Sequence, residues 1–241
     1  MKKSTFILFA LCLWVSIPMN AYAMHIAEGA ISLNWCIFYF IISAPFIVIS
    51  IRELRKCIKK NSEIKMLLAL MAAYIFMMSA MKLPSVTGSS SHPTGTGLGS
   101  IIFGPLVVVI LSVIVLLFQA LLLAHGGLTT LGANVLSMGI VGPLIAYGIY
   151  RVLKNKNKSL AIFLACALGN LSTYIVTSIQ LSFAYPDKVG GILASATKFM
   201  GIFAVTQIPL AIVEGIISVI LYDFITKHCK SELNELEEGL L

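Results

Sequence analysis

Charged residues are scarce in this chain. Only 11 % of its 241 residues are Asp, Glu, Lys or Arg, and 59 % are hydrophobic, whereas a soluble domain carries about 25 % charged residues. So little charge cannot cover a soluble globule, which indicates that lipid is the solvent. Backbone groups in lipid must be satisfied within helices or a closed barrel. Because the apolar runs are continuous rather than alternating, we expect an all-α, multi-pass transmembrane helical bundle.

Common motifs of hydrolases and nucleotide-binding proteins are also absent. The chain contains no HExxH, no GxSxG and no GxxxxGK[ST] sequence. These patterns supply a zinc-bound water, a nucleophilic serine and a phosphate-binding loop. We therefore predict that the protein is not an enzyme, and that any ATP hydrolysis driving transport takes place in another subunit.

Cysteine pairs and basic faces are lacking as well. The five cysteines lie in different segments and none belongs to a CxxC pair, so neither a disulfide framework nor a zinc site is predicted. The net charge is +7, but the basic residues occur in short clusters between apolar runs. Such clusters are typical of membrane topology signals, and we predict no binding of nucleic acid.

The first 23 residues have the three parts of a signal peptide. Lys2 and Lys3 are a positive start, residues 6–17 are apolar, and Ala21-Tyr22-Ala23 is an A-x-A cleavage site. Cleavage would make Met24 the mature N-terminus. Two alternatives stay open: an uncleaved first helix, and translation that starts at Met24.

Six apolar segments long enough to cross a bilayer follow, at 34–51, 66–82, 106–124, 134–150, 160–184 and 202–225. The basic clusters at 52–65, 151–158 and 227–230 should all be cytoplasmic. Three crossings between the first two clusters cannot return the chain to the same side. We therefore predict a seventh, glycine-rich segment at 91–104, with the mature N-terminus outside and the C-terminus inside.

This topology predicts three parts of the chain. Residues 1–23 are the signal peptide, 24–225 form one membrane domain, and 226–241 form a cytoplasmic tail. The protein is expected in the cell membrane.

A mature N-terminus of Met24-His25 is a chelating group. Its amine, the His25 amide nitrogen and His25 Nδ1 can bind one metal ion, and a second imidazole completes four nitrogens, a set that suits Ni(II), Cu(II) or low-spin Co(II). The second imidazole is assigned to His92, which the topology places on the same side. We predict a metal site of Met24, His25 and His92. Surface histidines satisfied by water or by Ser and Thr are the alternative.

Two other polar residues are interpreted as structural. His125 precedes Gly126-Gly127 in a short outer turn and is interpreted as capping helix ends. Glu214 lies inside the last apolar segment, where a carboxyl is a functional suspect. A hydrogen bond to a neighbouring helix is the interpretation we favour for it.

Four stretches of the sequence resemble the CbiM family. They are Met24-His25-Ile26-Ala27-Glu28-Gly29, residues 82–99 (KLPSVTGSSSHPTGTGLG), residues 124–134 (AHGGLTTLGAN) and residues 207–215 (QIPLAIVEG). The resemblance covers nearly all of 24–225. One departure is Asn170, where an acidic residue is expected in the family.

The resemblance implies a seven-helix substrate-binding component of an energy-coupling-factor cobalt transporter that feeds cobalamin synthesis. It implies Co(II) held as substrate by the Met24 amine, His25 and His92, with no resident cofactor. The implied partners are a small membrane subunit, a transmembrane coupling protein and an ATPase pair. Nickel uptake remains an alternative because nickel relatives share the Met-His start. A passive channel is less favoured, since few intramembrane charges are present to line a pore.

Overall fold

The computed structural model describes residues 25–60, 64–84 and 90–229. The predicted signal peptide, Met24 and most of the predicted tail lie outside the described residues.

Seven helices run through the described residues. They are α1 (Leu33–Lys60), α2 (Ile64–Ala80), α3 (Thr96–Phe103), α4 (Pro105–Leu122), α5 (Leu131–Leu153), α6 (Lys158–Ala184) and α7 (Gly191–His228). Two short antiparallel strands, β1 (Leu83–Pro84) and β2 (Ser90–Ser91), lie between α2 and α3. Part of α5, Val135–Val141, is a π-helix.

Five of these helices, α1 and α4 to α7, are long and apolar enough to cross a membrane. The apolar helix α2 has 17 residues and α3 has eight. The predicted bundle of apolar helices is therefore present, while the number of seven crossings stays a prediction. Two helices extend far beyond the predicted segments: α1 continues to Lys60 through the basic cluster, and α7 begins at Gly191.

The short helix α3 lies at the centre of the bundle. All eight of its residues are buried, and it contacts α2, α4, α5 and α6. Gly97 permits close contact with α6, because a Cβ there would lie 2.9 Å from the Cα of Cys166. Gly104, with φ of 84°, ends α3, and Pro105 begins α4. The stretch that leads into α3 is thereby held inside the bundle.

The outer surface of the bundle is apolar. Large hydrophobic side chains such as Met66, Val152 and Leu193 are exposed, whereas polar side chains such as Ser100, Gln207 and Glu214 are buried. An apolar exterior over polar internal contacts is the arrangement expected of a protein solvated by lipid.

Candidate metal centre

Three histidine side chains meet at one end of the bundle. His25 precedes α1, His92 lies between β2 and α3, and His125 lies between α4 and α5. His25 Nδ1 is 2.8 Å from His92 Nε2 and 2.7 Å from His125 Nε2. All three side chains are buried, and one ring nitrogen from each lies within 4.8 Å of the others, so the three can hold one metal ion.

The structure brings together two of the residues predicted for the site, His25 and His92, and adds His125. The third predicted ligand, the amine of Met24, lies outside the described residues. His125 does end a helix as interpreted, since its backbone N–H donates to the Gln119 carbonyl at 3.1 Å. Its side chain nevertheless joins the cluster. The signal available in the sequence was its position in an outer turn on the same predicted side as His92.

The protonation of the His92 ring follows from its contact outside the cluster. His92 Nδ1 is 2.8 Å from the carbonyl oxygen of Pro93. A carbonyl only accepts, so Nδ1 carries the proton and donates it. In the neutral ring, His92 Nε2 is then an unprotonated nitrogen that points toward His25.

In the His25 ring, Nε2 rather than Nδ1 makes the contact outside the cluster. Its Nε2 is 3.2 Å from the thioether sulfur of Met138, and a thioether is a weak acceptor without a proton to give. Nε2–H can donate to Met138, and this is the tautomer that leaves Nδ1 unprotonated, as metal binding requires. Met138 lies in the π-helical part of α5, a distortion often found at functional sites.

With the proton of His25 on Nε2, the lone pairs of His25 Nδ1 and His92 Nε2 face each other across 2.8 Å. Burial lowers the pKa of His25 well below its ordinary 6.5, and the neighbouring His125 and His92 lower it further. Burial also lowers the pKa of His92 to about 4. At neutral pH the rings are uncharged, so their lone pairs are ready to bind a cation. Metal-bound histidines commonly donate their other N–H in this way.

The stretch that carries His25 is bound to the start of α5 through its backbone. Ile26 N–H donates to Asn134 Oδ1 at 2.8 Å, and Asn134 Nδ2 donates back to the Ile26 carbonyl at 3.0 Å. The Thr130 hydroxyl also donates to this carbonyl, at 2.7 Å. Glu28 accepts from the backbone and the hydroxyl of Thr129. These bonds hold His25 over Met138.

The stretch that carries His92 is bound to α7. The hydroxyls of Ser91 and Thr206 are 2.7 Å apart, and Gln207 Nε2 donates to the His92 carbonyl at 3.1 Å. Glu214 makes the favoured hydrogen bond to a neighbouring helix, through Asn170 of α6, and also contacts Thr94 and Gly95. The two predicted histidines are thus held by different helices.

Comparison with known families identifies a match over most of the chain. The family model described as "Cobalt uptake substrate-specific transmembrane region" matches residues 25–232. A cobalt transport protein CbiM of Clostridium tetani is 57 % identical over 236 residues, 98 % of both chains. The protein of the same description from Desulforamulus reducens is 55 % identical over 93 % of this chain and 90 % of its own.

Solved structures show the same architecture. The crystal structure of a truncated transition metal transporter superposes with a TM-score of 0.73 at 24 % sequence identity. It covers 85 % of this chain and 99 % of its own. At this identity the likeness concerns the fold alone.

Proposed function

This chain belongs to the CbiM family of cobalt-uptake membrane proteins, and we propose that it binds Co(II) for import as the substrate-binding subunit of an energy-coupling-factor transporter. The observation that supports this most is the convergence of His25 Nδ1 and His92 Nε2, while the far nitrogen of each ring contacts a hydrogen-bond acceptor, Met138 Sδ or the Pro93 carbonyl. A buried set of neutral nitrogens favours a first-row transition metal over the oxygen-seeking Mg²⁺ or Ca²⁺.

We assign the ligands to the Met24 amine, His25 and His92. An amine on the residue before His25 can close a chelate with His25 Nδ1 by covalent geometry alone. His92 Nε2 adds a nitrogen from a distant stretch. His125 Nε2, 2.7 Å from His25 Nδ1, is close enough to complete the set or to hold it in place.

The choice of cobalt rests on the family rather than on the donor atoms. A set of nitrogen ligands binds Ni(II) more tightly than Co(II) in the usual order of affinities. Cobalt is favoured because the relatives that match nearly the whole chain are described as cobalt transport proteins. The imported cobalt would supply cobalamin synthesis.

Energy for transport would come from partner subunits: a small membrane subunit, a coupling protein and an ATPase pair. Cobalt uptake should then require co-expression with these partners and should stop when ATP is depleted. A passive channel would carry cobalt down its gradient with neither. Uptake by the chain alone in energy-depleted cells would reject the coupled transporter.

The proposed ligands can be tested on the purified, naturally processed chain by N-terminal sequencing and by Co(II) titration. His25→Ala and His92→Ala should each lower the affinity by more than the roughly 10–100-fold typical of groups around the ligands. An alanine inserted before Met24 should do the same, because it moves the amine out of chelating position. For His125→Ala we expect a smaller loss.

The matched control is His228→Ala, which removes the one remaining histidine of the chain. His228 lies at the end of α7, remote from the cluster, and its removal should leave the affinity unchanged. Wild-type affinity in His92→Ala would reject this site. Wild-type affinity with the inserted alanine would exclude the amine and leave the three imidazoles as ligands.

A further inference from the structure

Glu214 is a fully buried carboxyl in the interior of the bundle, with an exposure of 0 %. It lies within α7, one of the helices long enough to span the membrane. A carboxyl in such a place is costly unless its oxygens are satisfied. The proposed metal binding does not use Glu214 as a ligand, so its contacts call for a separate explanation.

Four neutral donors converge on the two oxygens of Glu214. Oε2 accepts from Thr94 N–H at 2.7 Å and from the Asn170 side-chain amide. Oε1 accepts from Gly95 N–H at 2.8 Å and from the Thr94 hydroxyl at 2.9 Å. Four bonds are the full accepting capacity of an ionised carboxylate. Three of the four come from the two residues at positions 94 and 95, directly behind His92 and Pro93.

The Glu214 contact occurs where the chain bends into α3. Gly95 has φ of 71°, and a Cβ there would lie 3.2 Å from the Cα of Ile75 in α2. Glu214 accepts the backbone N–H of Thr94 and of Gly95 at this bend, just before α3, where the helix dipole also favours a negative group. The carboxylate therefore fixes the direction from which residues 92–94 enter α3.

Gln207 reinforces the same arrangement. It lies seven residues, or about two turns, before Glu214, so both side chains project from one face of α7. Gln207 Nε2 donates to the His92 carbonyl at 3.1 Å and to Asn170 Oδ1. Asn170 of α6 thus connects Gln207 and Glu214 of α7.

We infer that Glu214 is a positioning residue of the metal centre, which holds the backbone of Thr94 and Gly95 and so directs His92 Nε2 toward His25 Nδ1. The inference rests on the proposed function. The competing explanation is that Glu214 serves only to join α7 to α6 through Asn170. The two explanations differ in which hydrogen bonds of the carboxylate matter, and variants of the chain can separate them.

Glu214→Gln replaces an acceptor by an amide group that donates. The new amide N–H then faces another N–H donor, either in the backbone of Thr94 and Gly95 or in the side chain of Asn170. The double variant Asn170→Asp/Glu214→Gln reverses the polarity of the bond between helices. In it the glutamine amide donates to the aspartate introduced at position 170, while Gln207 still donates to the same carboxylate. The helix contact is restored, but the backbone N–H of Thr94 now faces an amide nitrogen.

We expect Glu214→Gln to lower the Co(II) affinity of the purified chain about 10–100-fold and to alter the visible absorption spectrum of bound Co(II). Amide hydrogen exchange of the peptide 91–97 in metal-free protein should become faster. The double variant should regain the unfolding temperature of the wild type without its cobalt affinity. Return of both properties would show that only the helix contact matters, and unchanged exchange in Glu214→Gln would also overturn the inference.

Thr94 provides a second test in case Glu214→Gln does not fold. Thr94→Val removes one donor from the carboxylate without touching α6, and should lower the cobalt affinity, whereas Thr94→Ser should restore most of it. Equal affinity in Thr94→Val and wild type would count against the inference. Ser218→Ala, at a buried position one turn further along α7, is the control and should leave the affinity unchanged. If wild-type protein binds no cobalt, the proposed function fails, and hydrogen exchange alone still decides whether Glu214 holds the stretch.

Discussion

Individual atoms outside the histidine cluster decide which ring nitrogens can bind metal. The Pro93 carbonyl accepts a hydrogen bond from His92 Nδ1–H, and the Met138 sulfur faces His25 Nε2. Each contact engages the far nitrogen of its ring, and the two opposite nitrogens, His25 Nδ1 and His92 Nε2, converge. Because both rings are held by contacts outside the cluster, little ordering remains to be done when metal binds. Preorganisation of this kind raises affinity by lowering the entropy lost on binding.

The pH dependence of cobalt affinity should distinguish the Met24 amine from the imidazoles. Burial lowers the pKa values of His25 and His92, so both rings are already neutral between pH 6 and 7.5 and contribute no slope there. A terminal amine has a pKa of about 7.7–8.0 and must lose its proton to bind. We expect the affinity to rise about tenfold or more per pH unit over this range.

Titration of the mature chain with Co(II) at pH 6.0, 6.5, 7.0 and 7.5 measures this slope. A flat profile would mean that no amine or amide proton is displaced, and would leave the three imidazoles as the ligand set.

Metal-free protein provides the complementary measurement. Its unfolded chain takes up protons on these histidines below about pH 6.5 while the folded chain does not, so its free energy of unfolding should fall as the solution is acidified through that pH.

Among the helices, α3 is the element on which the position of His92 depends. It is short, fully buried and preceded by the stretch that carries His92. The helix can approach the backbone of α6 this closely because residue 97 is a glycine. Small residues at helix contacts allow this approach in membranes, where packing rather than the hydrophobic effect drives association.

Gly97→Ala should therefore destabilise the bundle. The added Cβ would meet the backbone of Cys166 at 2.9 Å, and backbone cannot move aside as a flexible side chain can. We expect a loss of about 1–3 kcal/mol in the free energy of unfolding, seen as a lower unfolding temperature in detergent. Cobalt affinity should fall with it, because α3 carries the His92 stretch.

Gly148→Ala is the matched control for this substitution. Gly148 also lies within a helix, α5, but a Cβ there has no neighbour within 4 Å. Alanine at such a position should stabilise the chain by about 0.4–1 kcal/mol. Equal unfolding temperatures for the two variants would show that the contact of α3 with α6 has room for a methyl group.

At the scale of the whole molecule, the histidine cluster and the basic loop between α5 and α6 lie at opposite ends of the bundle. The end of α6 is tied to the stretch between His25 and α1, where the Tyr185 hydroxyl donates to the Ala30 carbonyl. The other end of α6 meets α7, where Lys158 Nζ lies 4.9 Å from the centre of the Tyr222 ring. The predicted topology, in which His25 is outside and the basic loops are cytoplasmic, requires such a separation, and its orientation stays a prediction.

Labelling of single introduced cysteines would test this orientation. Val189, between α6 and α7, is 98 % exposed at the histidine end, and Lys156 is exposed in the loop between α5 and α6 at the other end. In intact cells, a membrane-impermeant maleimide should label Val189→Cys and should not label Lys156→Cys until the membrane is permeabilised. The unsubstituted chain, labelled in parallel, gives the background from the native cysteines. The reverse pattern would invert the topology and place the metal centre in the cytoplasm.

The predictions that succeeded from sequence rest on short-range features. Continuous apolar runs indicated the helices, and four local stretches indicated the family, which the family model and the relatives confirm. The extension of α1 to Lys60 was missed, because hydropathy ends where charge begins although the helix continues. The side chain of His125 was missed as a member of the cluster, since nothing within its own turn indicates that His25, 100 residues earlier, lies 2.7 Å away.

The sequence by itself determined that this protein is a helical membrane protein of the CbiM family and that His25 and His92 are the histidines to examine. Composition, hydropathy and local motifs depend only on neighbours in the chain. Only the tertiary structure decided that His125 joins them, that the Met138 sulfur contacts His25 Nε2, and that Glu214 binds Thr94 and Gly95. These contacts join residues about 100 positions apart, and their existence depends on how the helices pack and which way each side chain points.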